Sequence, residues 1–375
     1  MLSVEKIDLS NKKAVNEFVE FPFKIYKNIP QWVPPILNDI RLMLNPQKHP
    51  FYEHSSGEFF IARHKGEMVG RIGVLENKPF NEYHGTRQAQ FYLFESIDDQ
   101  EVANALFNRI FEWARARELS EVVGPKGLSP FDGYGIQIEG FDHRQMMIMM
   151  NYNPAYYVQL VENIGFQKEV DFVSCYIHRD AFKMPEKIHL VSQRIQERGN
   201  FRVVTFKTKR ELKGYVNQIG DAYNKTFVNN WEYYPLTQNE IDFVVNNIIT
   251  VADPRLIKVI LYQDKLVGFL FGFPDVSAAL QRAKGRLTPW AIIDLLREMK
   301  RTKWVSLNGA GILPEYHGRG GNALLYSEME KTINEYSFEH FELTQVAETA
   351  VQMRKDLMSV GGKPYKNHRV YFKHI

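Results

Sequence analysis

The sequence predicts an α/β chain with a mixed α+β sheet, built from two tandem domains on one plan. Three observations carry this. A strand–turn–strand pattern, 59–63 and 68–74 around His64-Lys65-Gly66-Glu67, returns as 256–262 and 266–272 around Gln263-Asp264-Lys265. A helix–Gly–strand ending at Gly165 returns at Gly361, and both repeats lie about 200 residues apart, as an internal duplication requires. The length, 375 residues, also exceeds that of an ordinary single domain.

Taken in order, 1–50 read as a helical lead-in rich in aromatics, with Phe18, Phe21, Phe23 and Tyr26 ahead of Pro30 and Pro34-Pro35. The first hairpin follows, then a strand at 89–94. Ser96 or Asp98 suits the cap of the next helix, whose core face is Val102, Ala105, Leu106, Ile110 and Trp113. A short strand stops at Gly124-Pro125, and 146–150 is apolar enough for a strand or a buried wall. A helix over 154–163 and a strand over 170–177 complete the first domain, 1–180.

A polar linker, 181–199, leads to the second domain, 200–375. It opens with a strand at 201–206 and helix over much of 209–226. After its hairpin comes an insertion, 274–303. From Trp290 the insertion is helical, with Ile292, Leu295, Leu296 and Met299 on one side and Asp294, Arg297 and Arg301 opposite. Flanking tryptophans and upstream cations suit a membrane interface through 287–304 as well as plain packing on the domain. A strand, 304–313, then enters the loop Glu315-Tyr316-His317-Gly318-Arg319-Gly320-Gly321-Asn322, and a helix leaves it.

Composition narrows the partners. A net charge of +3 gives no basis for nucleic-acid binding. One cysteine, Cys175, cannot form an internal disulfide, which suits the cytoplasm. It lies in a strand-like run, as a buried thiol does. No stretch has the roughly 18 apolar residues of a membrane span, and no His/Cys/Asp cluster has metal-ligand spacing.

Glycines between a strand and a helix let backbone approach a ligand, and free N–H groups of a first helical turn bind anions. The loop lacks the Gly-Lys-Ser/Thr of a Walker loop and the spacing of a dinucleotide fingerprint. It resembles the loop of the GNAT superfamily of acyl-CoA N-acyltransferases, Gln/Arg-x-x-Gly-x-Gly/Ala, with Glu315 in place of Gln or Arg. The whole chain resembles bacterial tandem GNAT-like proteins, through Phe94-Glu95-Ser96-Ile97-Asp98-Asp99, Gly124-Pro125, Gly140-Phe141-Asp142 and 231–235.

The resemblance implies that His317, Gly318, Arg319, Gly320, Gly321, Asn322 and Ala323 cradle the pyrophosphate of acetyl-CoA or a longer acyl-CoA. Ile312 and Leu313 would face its pantetheine arm. No metal is implied. Ala350 and Leu357 stand where many members have Asn and a general-acid tyrosine. The remaining candidates are Glu348 as base, Tyr371, Tyr234, Tyr233 or His317 as acid, and Trp231, Tyr233 and Tyr234 at the acceptor, an amine of a small molecule or a lipid. The first domain has an acidic turn, Glu95 to Asp99, which repels a pyrophosphate. The expected activity is N-acyl transfer, with a non-catalytic CoA-binding sensor as the alternative.

Overall fold

The computed structural model describes the chain except residues 147–149, 229, 232 and 337, and the side chains of 250 and 251. The expected run 146–150 and parts of the expected acceptor segment therefore lie outside the described residues. In chain order the first elements are β1 (Leu2–Lys6), α1 (Lys12–Glu20), α2 (Pro22–Ile25), α3 (Leu37–Met43), β2 (Ser56–His64), β3 (Glu67–Glu76), α4 (Lys78–His84), β4 (Gln88–Ser96), α5 (Gln100–Arg115), β5 (Glu121–Gly124), β6 (Ile136–Glu139), α6 (Tyr156–Asn163) and β7 (Gln167–His178). The remainder are α7 (Glu186–Arg198), β8 (Phe201–Thr205), α8 (Lys209–Lys213), α9 (Val216–Thr226), α10 (Gln238–Val251), β9 (Ile257–Tyr262), β10 (Lys265–Pro274), α11 (Ser277–Ala283), α12 (Pro289–Arg301), β11 (Trp304–Ile312), α13 (Gly321–Glu335), β12 (His340–Ala347), α14 (Val351–Ser359) and β13 (Lys363–His374).

Two compact units result, and they do not follow the sequence boundary at 180. Unit 1 is Met1–Val173 with Val276–Arg297 and Lys366–Ile375, and unit 2 is Ser174–Asp275 with Glu298–Tyr365. The physical reason is strand exchange. β13 pairs antiparallel with β5, Tyr371 opposite Gly124, so the chain's last strand completes the first sheet. Its buried Tyr371 packs with Phe91, Phe107 and Ile110 in the core under α5. The insertion also folds with unit 1: Leu37 N–H donates to Gly285 O at 3.0 Å, and the Gln281 amide donates to the carbonyls of Pro30 and Trp32 at 2.7 and 2.8 Å. Gly285 has φ +66°, and a Cβ there would stand 2.1 Å from Pro35 O, so only glycine permits this approach.

In unit 1 the strand order is β1-β2-β3-β4-β5-β13-β7, antiparallel through β4, with β4 and β5 parallel. The lead-in starts with β1, a strand that its aromatic-rich continuation hid, and α1 to α3 with the short turn Pro50–Glu53 then cover the sheet through Phe18, Leu37 and Phe51. α5 is capped one residue later than expected, by Asp99. Unit 2 repeats the plan as β7-β12-β11-β10-β9-β8, with β11 and β12 parallel. The duplication extends to irregularities: both hairpins skip one residue, Val69 in β3 and Val267 in β10. The polar linker is not loose. Its α7 packs on α13, with Val191 and Ile195 at the start of that helix.

Candidate functional site

The site is built where β11 leaves β12. These parallel strands pair over only four positions, Trp304–Leu307 against His340–Leu343. β11 runs on to Ile312 and β12 to Ala347 without a ladder between them. The break coincides with a bulge: Phe271 faces Gly309 and Gly272 faces Leu307, leaving Asn308 extra, and an extra residue bends its strand. Two parallel edges thus open from an apex at Asn308 and Thr344.

The glycine loop follows at the far end of β11. Leu313 N–H donates to Val267 O at 2.8 Å, and a short turn, Pro314–Tyr316, carries the chain outward. Gly318 and Gly320 have φ +71° and +84°, alternating with right-handed or extended residues to form a concave nest of N–H groups. Among the described residues, the N–H groups of Gly318, Arg319, Gly320, Gly321 and Asn322 make no hydrogen bond. A Cβ on Gly320 would lie 2.2 Å from Ile195 Cδ1 in addition to the backbone strain, so this position is closed to other residues. No side chain caps α13, whose positive dipole end faces the loop.

This narrows the expected donor set. His317 N–H is taken by Pro314 O at 3.1 Å and Ala323 N–H by Gly320 O at 3.1 Å. The His317 ring donates through Nε2 to Ile312 O at 2.7 Å, pinning the loop to β11. Ile312 and Leu313 are buried, so what they offer at the surface is backbone. Ile312 packs against the backbone at Gly268 and Gly321. Glu315 is tied to Lys265 at 3.2 Å, which offsets the acidic departure from the loop pattern.

At the apex a polar row occupies one face of the sheet. The Ser306 hydroxyl bonds to Asn308 Oδ1 and lies 2.8 Å from the Thr344 hydroxyl. Asn308 accepts from Ser306 through Oδ1, and its buried Nδ2 is left with no partner among the described residues. Glu342, fully buried, stands two residues before Thr344 on the same face and bonds to Tyr365. Burial, and then the Glu342 charge, push the Tyr365 phenol well above its usual range, so it stays protonated. Beside the row, Gly309 and Gly311 face the stacked rings of Phe271 and Phe269, 4.7 Å apart, with Thr226 at the end of α9 against Gly311. Sequence reasoning missed Asn308, Glu342 and Tyr365. The available signal was the run Ser306-Leu307-Asn308-Gly309-Ala310-Gly311, too polar and too small for a core strand.

The other expected residues scatter. Glu348, half-buried, lies one residue beyond β12, at the wide end of the opening. Tyr233 and Tyr234 are buried, donating to Asn224 O at 2.6 Å and Glu240 Oε1 at 3.3 Å, and so serve to fix the start of α10. Trp231 beside them is half-buried. Tyr371 belongs to unit 1, where it is 1% exposed and donates to Glu162 Oε1 at 3.0 Å, a core tyrosine with its hydroxyl already committed. Among the described residues no group of three or more His, Cys, Asp or Glu is placed to hold a metal ion. None of the described helices is long and apolar enough to cross a membrane. Cys175 is buried and unbridged.

Comparison with known proteins fits this geometry. A solved tandem GNAT protein from the clavulanic acid biosynthesis pathway matches with a TM-score of 0.56 over 100% of this chain and 98% of its own, at 11% identity. The chain therefore has the GNAT fold in tandem. Protein YghO of Escherichia coli (strain K12) is 25% identical over 373 residues, 97% of this chain and 94% of that protein. The bacterial ceramide synthase of Caulobacter vibrioides (strain NA1000 / CB15N) is 26% identical over 377 residues, 98% and 96% of the two chains. No family model matches the sequence.

Proposed function

We propose that unit 2 is an acyl-CoA-dependent N-acyltransferase whose acceptor is a long-chain amine. The observation that carries this is the row of five unbonded N–H groups, 318–322, beside two parallel strands that have parted. Successive amides in a left-handed nest suit a diphosphate, which presents several anionic oxygens in a row. The open space around Gly318 lets such a group approach, and exposed Arg319 adds a cation at the rim. The unpaired edges of β11 and β12 suit an extended, amide-bearing arm, because they present donors and acceptors at strand spacing.

When bound, acyl-CoA supplies a thioester whose carbonyl carbon joins the amine nitrogen as the thiol departs. The chain's own residues do the rest. Asn308 Nδ2, a buried donor without a partner, polarises a carbonyl at the apex. Glu348, which reaches solvent, takes the amine proton directly or through a water. Glu342 is sealed, and with Tyr365 it sets the charge and hydrogen-bond pattern behind the apex. The acceptor class is supported by the relative named a ceramide synthase.

Calorimetric titration of the full chain with acetyl-CoA and palmitoyl-CoA, and thiol release with a long-chain amine against a short one, test the reading. Binding of an acyl-CoA and release with the long amine are expected. Asn308→Ala should lower release about 100-fold at unchanged affinity for acyl-CoA, as loss of one carbonyl-polarising donor does. Failure to bind either acyl-CoA overturns the proposal, and binding without release on any amine leaves a CoA-binding sensor.

A further inference from the structure

The insertion helix α12 is held to unit 1 through the turn before it and carries an outer face that unit 1 does not use. The mount is the turn before it, where Arg286 pairs with Glu20 at 2.9 Å in addition to the Gln281 and Gly285 contacts. Within the insertion, Arg282 holds Asp294 at 2.8 Å and so sets the roll of the helix. The sequence placed Ile292, Leu295, Leu296 and Met299 on one packing face. The structure divides them: Ala291 is buried and Leu295 and Met299 are half-buried, whereas Ile292 and Leu296 point outward with Ile293 and Trp290.

Trp290 is 79% exposed and Leu296 54%, values at which each would lose by facing water. The cations lie on this same face. Arg297, Lys300 and Arg301 are exposed, while the two acidic residues of the helix, Asp294 and Glu298, are both turned half inward. The outer face therefore holds aliphatic groups, one tryptophan and three positive charges, with no negative charge among them.

We infer that α12 docks this protein on an anionic lipid surface. A protein partner needs shape, but a bilayer needs only a flat apolar stripe, an interfacial indole and cations beside it. The sign of the charge selects the anionic membrane over a neutral one. This inference rests on the face of α12 alone and stands or falls independently of the acyltransferase reading.

The test is co-sedimentation of the full chain with phosphatidylcholine vesicles, with and without about one-third phosphatidylglycerol. Binding to the anionic vesicles is expected, at least about tenfold tighter than to neutral ones and weakened by salt. Trp290→Ser with Leu296→Ser should lower it about tenfold or more. Arg297→Gln with Lys300→Gln and Arg301→Gln should do the same for anionic vesicles only. All five positions are exposed, so melting temperatures should not move, and quenching of Trp290 fluorescence by bromolipids gives a second readout. Absence of vesicle binding, equal binding of the variants, or a self-association broken by Trp290→Ser in place of vesicle binding each overturns the inference.

Discussion

The two units make the same strand-to-helix connection and finish it in opposite ways. In unit 1 the N–H of Ile97 donates to Val69 O at 3.0 Å, and in unit 2 that of Leu313 donates to Val267 O at 2.8 Å. After these matched anchors, two residues, Asp98 and Asp99, lead into α5, whereas seven, 314–320, lead into α13. Asp99 caps its own helix, its carboxylate accepting from Glu101 N–H at 2.8 Å. The parallel pair behind it is extended by one bond: β4 and β5 pair over Gln88–Gln90, and then Lys126 N–H donates to Phe91 O at 2.9 Å. In unit 2 the corresponding strands part and the helix start has no side-chain cap. One scaffold is thus self-sufficient or receptive according to whether the chain supplies its own anion at the helix start.

The strongest way to break this contrast is to give unit 2 an anion of its own. Gly320→Glu places a Cβ where Ile195 already stands, forces a left-handed backbone on a side chain, and adds a carboxylate at the N–H row. Several charge-assisted hydrogen bonds, each about 1.5–3 kcal/mol, are lost together, so affinity for acyl-CoA should fall on the order of a thousandfold. Calorimetry on the variant, with circular dichroism to confirm folding, checks this. A variant that binds within about tenfold of the parent would place the diphosphate elsewhere.

A second contrast concerns what closing unit 1 costs. Its last strand buries His368, 0% exposed, with Nε2 donating to Asn151 O at 2.9 Å and Nδ1 without a partner among the described residues. Burial, with Lys366 adding to it, depresses the imidazole from 6.5 to about 4. The folded protein therefore sheds this proton more readily than the unfolded chain does. Stability from His368 is whole above about pH 6.5 and is lost as pH falls through 4, a change of about 3 kcal/mol. Urea melts of the parent and of His368→Gln between neutral and acid pH should converge at the acid end. Identical pH slopes for the two would show that another group governs acid unfolding.

Much of the fold was legible because it is written in local chemistry. The hairpins announce themselves by apolar runs around Gly66 and Asp264, and the loop by glycines between a strand and a helix. What depends on long-range partnership was not legible. Tyr371 looks like any strand tyrosine, and only pairing with β5 assigns it to the core of unit 1. The linker's α7 has few apolar residues, and its contact with Gly320 shows only in three dimensions. The resemblance places Tyr233 and Tyr234 at the acceptor, but both rings are buried and their hydroxyls are bonded to Asn224 O and Glu240. Asn308 acquires meaning from a bulge, which depends on the register of a neighbouring strand.

The smallest effect tests the contrast from the other side. Asp99→Ala removes the anion that unit 1 supplies to α5, without lengthening its two-residue connection. Loss of an N-cap costs about 1 kcal/mol, so the free energy of unfolding should drop by that amount. Acyl-CoA binding should be unchanged in stoichiometry. If uncapping alone created a second, weak acyl-CoA site, receptivity would depend on charge. If it does not, the length of the loop and the parting of the strands are required as well. The latter is expected, because the two-residue connection to α5 is unchanged and Lys126 N–H still donates to Phe91 O beside β4. One binding site per chain in the variant, measured by calorimetry, separates these outcomes.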